Sequence, residues 1–248
     1  MSTSSSIAPP APRLSEVERV VDTFIAPSKT FADILRNASW WLPFVLISVL
    51  GIAQAFVVDR QVGYDRVSEN QMHASPKTED RLNQLTPEQR ASQMAISAKI
   101  TRITSYGIPV LLMVIYSLYT LLLWGSFNFG LGAQTSFAQV FAVSWYSLLP
   151  YIVTSLLVIL TLTFGNDAEG FNIRNPVGTN LAFYLPDAAP WLKSFLTQID
   201  IVRLWSLALQ VIGMAIVAKK SITQSAMIVV SFWVLTLLLS TGAAAAFS

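Results

Sequence analysis

The chain has no cysteine and a single histidine among its 248 residues. The first absence excludes disulfides, thiolate metal sites and lipidated cysteine. The lone His73 sits in a polar segment beside "ASPK", and one exposed imidazole is a poor metal site. Charge is scarce as well. Charged residues make up 12% of the chain, against about 25% in an ordinary soluble domain. No long apolar run carries a central Asp, Glu, Lys or His, the residues that ion-coupled carriers usually hold near the midplane. No base is therefore at hand to activate the many Ser and Thr of those runs. A phosphate loop, a GxSxG elbow and an HExxH pair are all missing. Asp167 and Glu169 belong to a glycine-rich turn, and turn chemistry explains them as well as acid–base chemistry does. No catalytic residue, cofactor, metal site or nucleic-acid partner is expected.

What is present is oil. Hydrophobic residues make up 53% of the chain, and the mean hydropathy is +0.54. A soluble core of this length could not hide so much apolar surface. The apolar residues fall into five blocks, at about 40–58, 103–124, 137–164, 201–218 and 226–247, each near the roughly 20 residues that cross a bilayer as a helix. The blocks lack the alternation of barrel strands. The sequence thus predicts an all-α integral membrane protein with five transmembrane helices. Pro109 and Pro150 should bend the second and third.

The flanks carry the amphipathic parts. Residues 1–13 read as a disordered Ser/Pro/Ala tail without the basic and apolar regions of a signal peptide. Residues 14–38 read as interfacial helices, and 39–248 as the membrane domain. Leu14, Val17, Val20, Val21, Phe24 and Ile25 form one apolar stripe, with Glu16, Glu18, Arg19 and Asp22 opposite. Val17, Val20, Val21 and Phe24 make the candidate contact surface. Pro27 should end that helix and Ser28 cap the next. Trp40, Trp41 and Trp191 are candidate anchors at the headgroup level. Between the first two spans, Thr86, Pro87 and Gln89 form a helix start, and an extramembrane helical hairpin is expected, with "YDRVSENQM" extending the first span and "HASPK" turning. Pro190 should open a short helix whose Trp191 faces the membrane.

Three side chains offer an alternative reading. Gln54 and Gln210 lie within apolar runs, and Arg203 enters the fourth, three residues after Asp200. An Asp–Arg pair at the membrane boundary explains Arg203, with the guanidinium reaching back to the interface. Amides in spans usually bond between helices, which also covers Gln139. A polar passage along Gln54, Gln210 and Arg203 would instead make a small permease or an accessory subunit of a transporter.

The order of parts resembles the Yip family, polytopic membrane proteins named for interaction with Ypt/Rab small GTPases, and in particular its prokaryotic branch. The resemblance is carried by "DTFIAPSKTFADILRNASWWLPF" at 22–44, "LTPEQRASQ" at 85–93, "TSFAQVFAVSWYSLLPYIV" at 135–153, "NPVGTNLAFYLP" at 175–186 and "IDIVRLWSLALQVIGMAIV" at 199–217. It implies a five-helix membrane domain with a cytosolic N-terminus, and small-GTPase contact only in distant members. The function expected is non-enzymatic, membrane-organising or partner-scaffolding, in the cell membrane. The partners expected are the lipid bilayer, and other membrane proteins or a second copy of the chain. Charge alone disputes the orientation, because seven basic residues lie between the first two spans. Lys219 and Lys220, at two span ends, favour a cytosolic N-terminus, and that orientation is the expectation.

Overall fold

The computed structural model describes residues 13–73, 76–165 and 169–247, and among these every regular element is helical. The expected tail, the "AS" of the hairpin turn and Asp167 lie outside the described residues. Two short helices come first, α1 (Glu16–Ile25) and α2 (Pro27–Ile34). Ser15 caps α1. Its hydroxyl accepts from the Glu18 N–H at 3.2 Å, and the Glu18 carboxylate accepts from the Ser15 N–H at 2.7 Å, a reciprocal capping box. Pro27 opens α2 rather than merely ending α1, since the first helical position needs no N–H. No side chain caps α2, so Ser28 does not have the expected role.

α3 (Trp41–Gln61) follows, and Gly63, at φ +80°, turns the chain away from it. The expected continuous extension is therefore a separate helix, α4 (Tyr64–His73). α5 (Pro76–Asn83) leads to α6 (Pro87–Tyr106), which starts at the expected Thr86–Gln89 capping box. α4 and α6 pack on one another as a helical hairpin. α6 enters the apolar block only as far as Tyr106. It stops at Gly107, and α7 (Ile108–Gly125) restarts with Pro109 in its first turn, ending in a π-helical turn over Ser126–Gly130.

The third apolar block is broken at its proline. α8 (Phe137–Ser147) and α9 (Tyr151–Phe164) are joined by a turn at 148–150, where Pro150 cannot donate to the helical ladder. Gln139 completes a Ser136 capping box at the start of α8, its side-chain oxygen accepting from the Ser136 N–H at 3.0 Å, and so belongs to no passage. α10 (Pro190–Thr197) packs along α12 (Ile222–Phe247), while α11 (Ile201–Val217) packs on α2, α8 and α12.

Among the described residues, four helical stretches are long and apolar enough to cross a membrane, Trp41–Gln61, Ile108–Gly130, Phe137–Phe164 and Ile222–Ala246, and α11 is a shorter apolar helix. Their outer faces carry exposed rows such as Val45, Val49, Ile52 and Phe56 on α3, and Val110, Val114, Leu118 and Leu121 on α7. Water does not tolerate such rows on four helices at once, and lipid does. The core sits around α8, whose Val140, Ala142, Val143, Trp145 and Tyr146 are fully buried. Trp145 is walled by Trp40, Phe44, Phe141 and Tyr116, with ring centroids 5.1–6.3 Å away. Gly213 lets α11 approach this core closely. A Cβ there would lie 2.6 Å from Val143 Cγ1 and 2.9 Å from the Phe31 ring.

Candidate functional site

Two arrangements carry the polar groups of the membrane domain. The first clamps the N-terminal pair. Arg19 is 1% exposed, and its Nε and Nη2 stand 2.8 and 2.7 Å from Asp33 Oδ2, across the α1–α2 turn. Glu16 Oε1 lies 3.7 Å from Nη1, and Glu16 Oε2 accepts from the Tyr146 hydroxyl of α8 at 3.1 Å. The Arg19 carbonyl accepts from Thr23 at 2.7 Å and Thr30 at 2.9 Å. Burial alone pushes the guanidinium down, but Asp33 and the nearby Tyr146 hydroxyl outweigh it and hold Arg19 above its ordinary value. It is therefore charged and compensated, as a buried cation must be.

This geometry revises the reading of α1. The charged face does not all point outward, because Arg19 and Glu16 turn inward to Asp33 and Tyr146. The candidate contact surface divides. Val20 and Phe24 pack against the core, Phe24 edge-on to Trp205 at 5.5 Å. Val17 and Val21 remain 66% and 50% exposed, in line with Ile25. Of the three candidate anchors, Trp41 and Trp191 are exposed, whereas Trp40 packs among Phe44, Phe141 and Trp145.

The second arrangement is a pair of neighbouring cavities, about 460 and 290 Å³. Gln54 and Arg203 line the larger, Gln210 and Arg203 the smaller, and Tyr116, Leu148, Tyr151 and Arg203 are common to both. The three residues of the passage reading are thus brought together around Arg203. The expected Asp200–Arg203 side-chain pair is not formed. Asp200 caps α11 instead, accepting from the Arg203 N–H at 2.9 Å and from the Thr179 hydroxyl at 2.5 Å. Arg203 shares both cavity walls with Tyr151 and Tyr116. Gln210 is buried and donates to Ser144 at 3.5 Å, where Thr120 also donates at 3.2 Å, an interhelical polar cluster.

The remaining sequence candidates lie elsewhere. His73 pairs on the surface with Glu79 at 3.1 Å. No group of three or more His, Cys, Asp or Glu side chains suited to a metal occurs among the described residues. Glu169 contributes its backbone carbonyl to Asn70 at 3.1 Å. Sequence reasoning missed the Arg19–Asp33 clamp and the tyrosines of the cavities. A family model described as Yip1 domain matches residues 21–244. The chain belongs to the Yip1 domain family. No curated protein and no solved structure matches it. With family and helices together, this Yip1-domain chain is a polytopic membrane protein.

Proposed function

We propose that this Yip1-domain protein is a non-enzymatic, five-crossing protein of the family's prokaryotic branch that organises the cell membrane through its N-terminal helical pair. α11 supplies the fifth crossing, since 17 residues at 1.5 Å rise reach about 25 Å, short of but near the hydrocarbon thickness. The N-terminus lies in the cytosol, and the α4–α6 hairpin lies on the opposite side. The observation that carries the reading is the two-sided nature of α1. Its inner side is fixed by a buried ion pair, and its outer side offers Val17, Val21 and Ile25. A rigidly held helix with an unpartnered apolar row fits an in-plane seat at the lipid surface. Glu18 and Asp22 flank the row and few basic residues do, so apolar insertion rather than attraction to anionic headgroups supplies the affinity.

The natural absence of cysteine makes the test direct. Spin labels at Val17→Cys and Val21→Cys in liposomes are expected to be reached by lipid-soluble oxygen and not by a water-borne nickel quencher. Liposomes holding the parent are expected to be more curved than those holding V17D/V21D. Water access at both labels, or identical vesicle shapes, rejects the reading.

The convergence of Gln54, Arg203 and Gln210 on two cavities supports a second reading, a permease or its accessory subunit. Solute flux in sealed liposomes holding this chain alone decides it. With no carboxylate or histidine among the described residues lining either cavity, any flux is expected to be independent of a proton gradient.

A further inference from the structure

Arg203 stands at an unusual place in its helix. It is the third residue of α11, in the turn where the unpaired N–H groups already present partial positive charge, so a cation there is disfavoured by the helix itself. The neighbouring Asp200 carboxylate accepts from the Arg203 backbone N–H and from the Thr179 hydroxyl, and its oxygens make no ion pair with the guanidinium. No carboxylate lies within 4 Å of the guanidinium in any ion pair among the described residues. Among the described residues, neither cavity wall includes an acid. Trp233 also lines the smaller cavity.

The rest of the lining is of two kinds. Ile47, Ile108 and Leu112 of the larger cavity, with Leu148 shared, form an apolar wall. Gln54, Tyr151 and Ser155 are uncharged groups able to donate hydrogen bonds. A volume of about 460 Å³ is within the roughly 300–1,000 Å³ range of small-molecule sites. A soluble anion would leave the aliphatic wall wet, and a neutral lipid tail would leave the cation unanswered. The ligand that satisfies both has one anionic group and one apolar chain.

We propose that these cavities form a binding site for an anionic amphiphile, with Arg203 and Tyr151 holding the anionic group and the Ile47–Ile108–Leu112 wall holding an acyl chain. The site stands apart from the membrane-organising role of α1, and binding without flux would separate it from the permease reading as well. Its ligand is either a phospholipid drawn from the bilayer or a free fatty acid, which share this chemistry.

The test is native mass spectrometry of the full chain in a non-ionic detergent, titrated separately with phosphatidylglycerol, phosphatidylcholine and oleate. One equivalent of phosphatidylglycerol or oleate is expected to stay bound at collision energies that strip phosphatidylcholine, and whichever is held more tightly names the source. R203Q is expected to weaken retention about tenfold or more, the loss of one charge-assisted hydrogen bond, while R203K keeps most of it. S155F fills the cavity without touching the charge and is expected to abolish retention. The surface pair K219Q/K220Q is expected to change nothing. Equal retention of phosphatidylcholine, unchanged retention in R203Q, or an equal loss in K219Q/K220Q would show lipid adhering to the outside only and would overturn the site. If R203Q does not fold, S155F decides alone, since retention by a chain whose cavity is filled overturns it equally.

Discussion

Arg19 and Arg203 are the same side chain in two opposite settings. Arg19 is sealed between α1 and α2, with a carboxylate at 2.7 Å and a second at 3.7 Å. Arg203 lines two cavities with phenol, amide and indole groups around it and no carboxylate in its ion-pair range among the described residues. The first arginine answers a demand of the fold, because two short helices of eight and ten residues have little apolar surface with which to hold themselves in place. The second answers no demand that packing makes. A charge answered by a carboxylate of its own chain, as Arg19 is by Asp33 although its Nη1 lacks a hydrogen-bond partner, is structural. A charge left for something else to compensate marks a place where something else belongs.

Breaking the first arginine should therefore have the largest effect on stability. Asp33→Ala leaves the Arg19 guanidinium buried and unpaired, a loss of about 3–5 kcal/mol. Replacing both partners by apolar residues, Arg19→Met with Asp33→Leu, is expected to recover much of that loss. Chemical denaturation in detergent, read as a double-mutant cycle, checks both. A single-mutant loss below about 1 kcal/mol would place the pair among weak surface bridges.

Next in size is the approach of α11 to the core. Gly213→Val sets methyl groups where Val143 and the Phe31 ring already stand, and overpacking of this kind costs about 1–3 kcal/mol. Because Phe31 belongs to α2, the substitution should also loosen the N-terminal pair. Faster amide exchange over residues 27–34 in G213V, with α3 and α9 unchanged, is the expected pattern.

The two regions also differ in how much of them could be read from sequence. Local signals transferred well. The Thr86–Gln89 box and the apolar blocks that form the four long spans are each fixed within a few residues of chain, and they appear where the pattern put them, with the expected bend at Pro150 a full turn and the second helix interrupted at Gly107. The Ser15–Glu18 and Ser136–Gln139 boxes carry the same S/T-x-x-E/Q signal and could have been found by it. What periodicity does not contain is which face meets which. Arg19 reads as solvated because a charged residue on one amphipathic helix defaults to water. Its partner is fourteen residues on, in the next helix, and only the turn at Ala26 brings them together. The cavities are still less legible, since Gln54, Tyr116, Tyr151 and Arg203 come from four helices whose arrangement no single segment encodes.

A smaller effect is expected at the cap of α1. Ser15→Ala removes one half of its capping box, typically about 1 kcal/mol of helix stability. The hydrogen bonds from Ser15, backbone first and hydroxyl second, hold the Glu18 carboxyl below its ordinary value. A depressed carboxylate contributes stability that is present above its unfolded value and lost as pH falls through its folded one. Amide exchange over residues 16–25 should therefore quicken on acidification through the carboxylate range in the parent, and show a weaker pH response in S15A. An identical pH response in the two proteins would detach Glu18 from the cap.

The smallest stability effect belongs to Arg203, and its smallness is the sharpest test of the contrast. If the guanidinium contributed to the fold as Arg19 does, its removal would cost several kcal/mol. Its backbone N–H, which Asp200 caps, survives any substitution except proline. Removing a cation from the first turn of α11 also relieves an unfavourable interaction with the helix dipole, an effect of about 0.3–1 kcal/mol. Arg203→Gln is therefore expected to change unfolding free energy by less than about 1 kcal/mol in lipid-free detergent, and in the stabilising direction. Added anionic amphiphile should raise the melting temperature of the parent and leave that of R203Q unmoved, since only a ligand that binds the folded state stabilises it. A loss in R203Q as large as that in D33A, with or without amphiphile, would make the two arginines equivalent and return Arg203 to the scaffold.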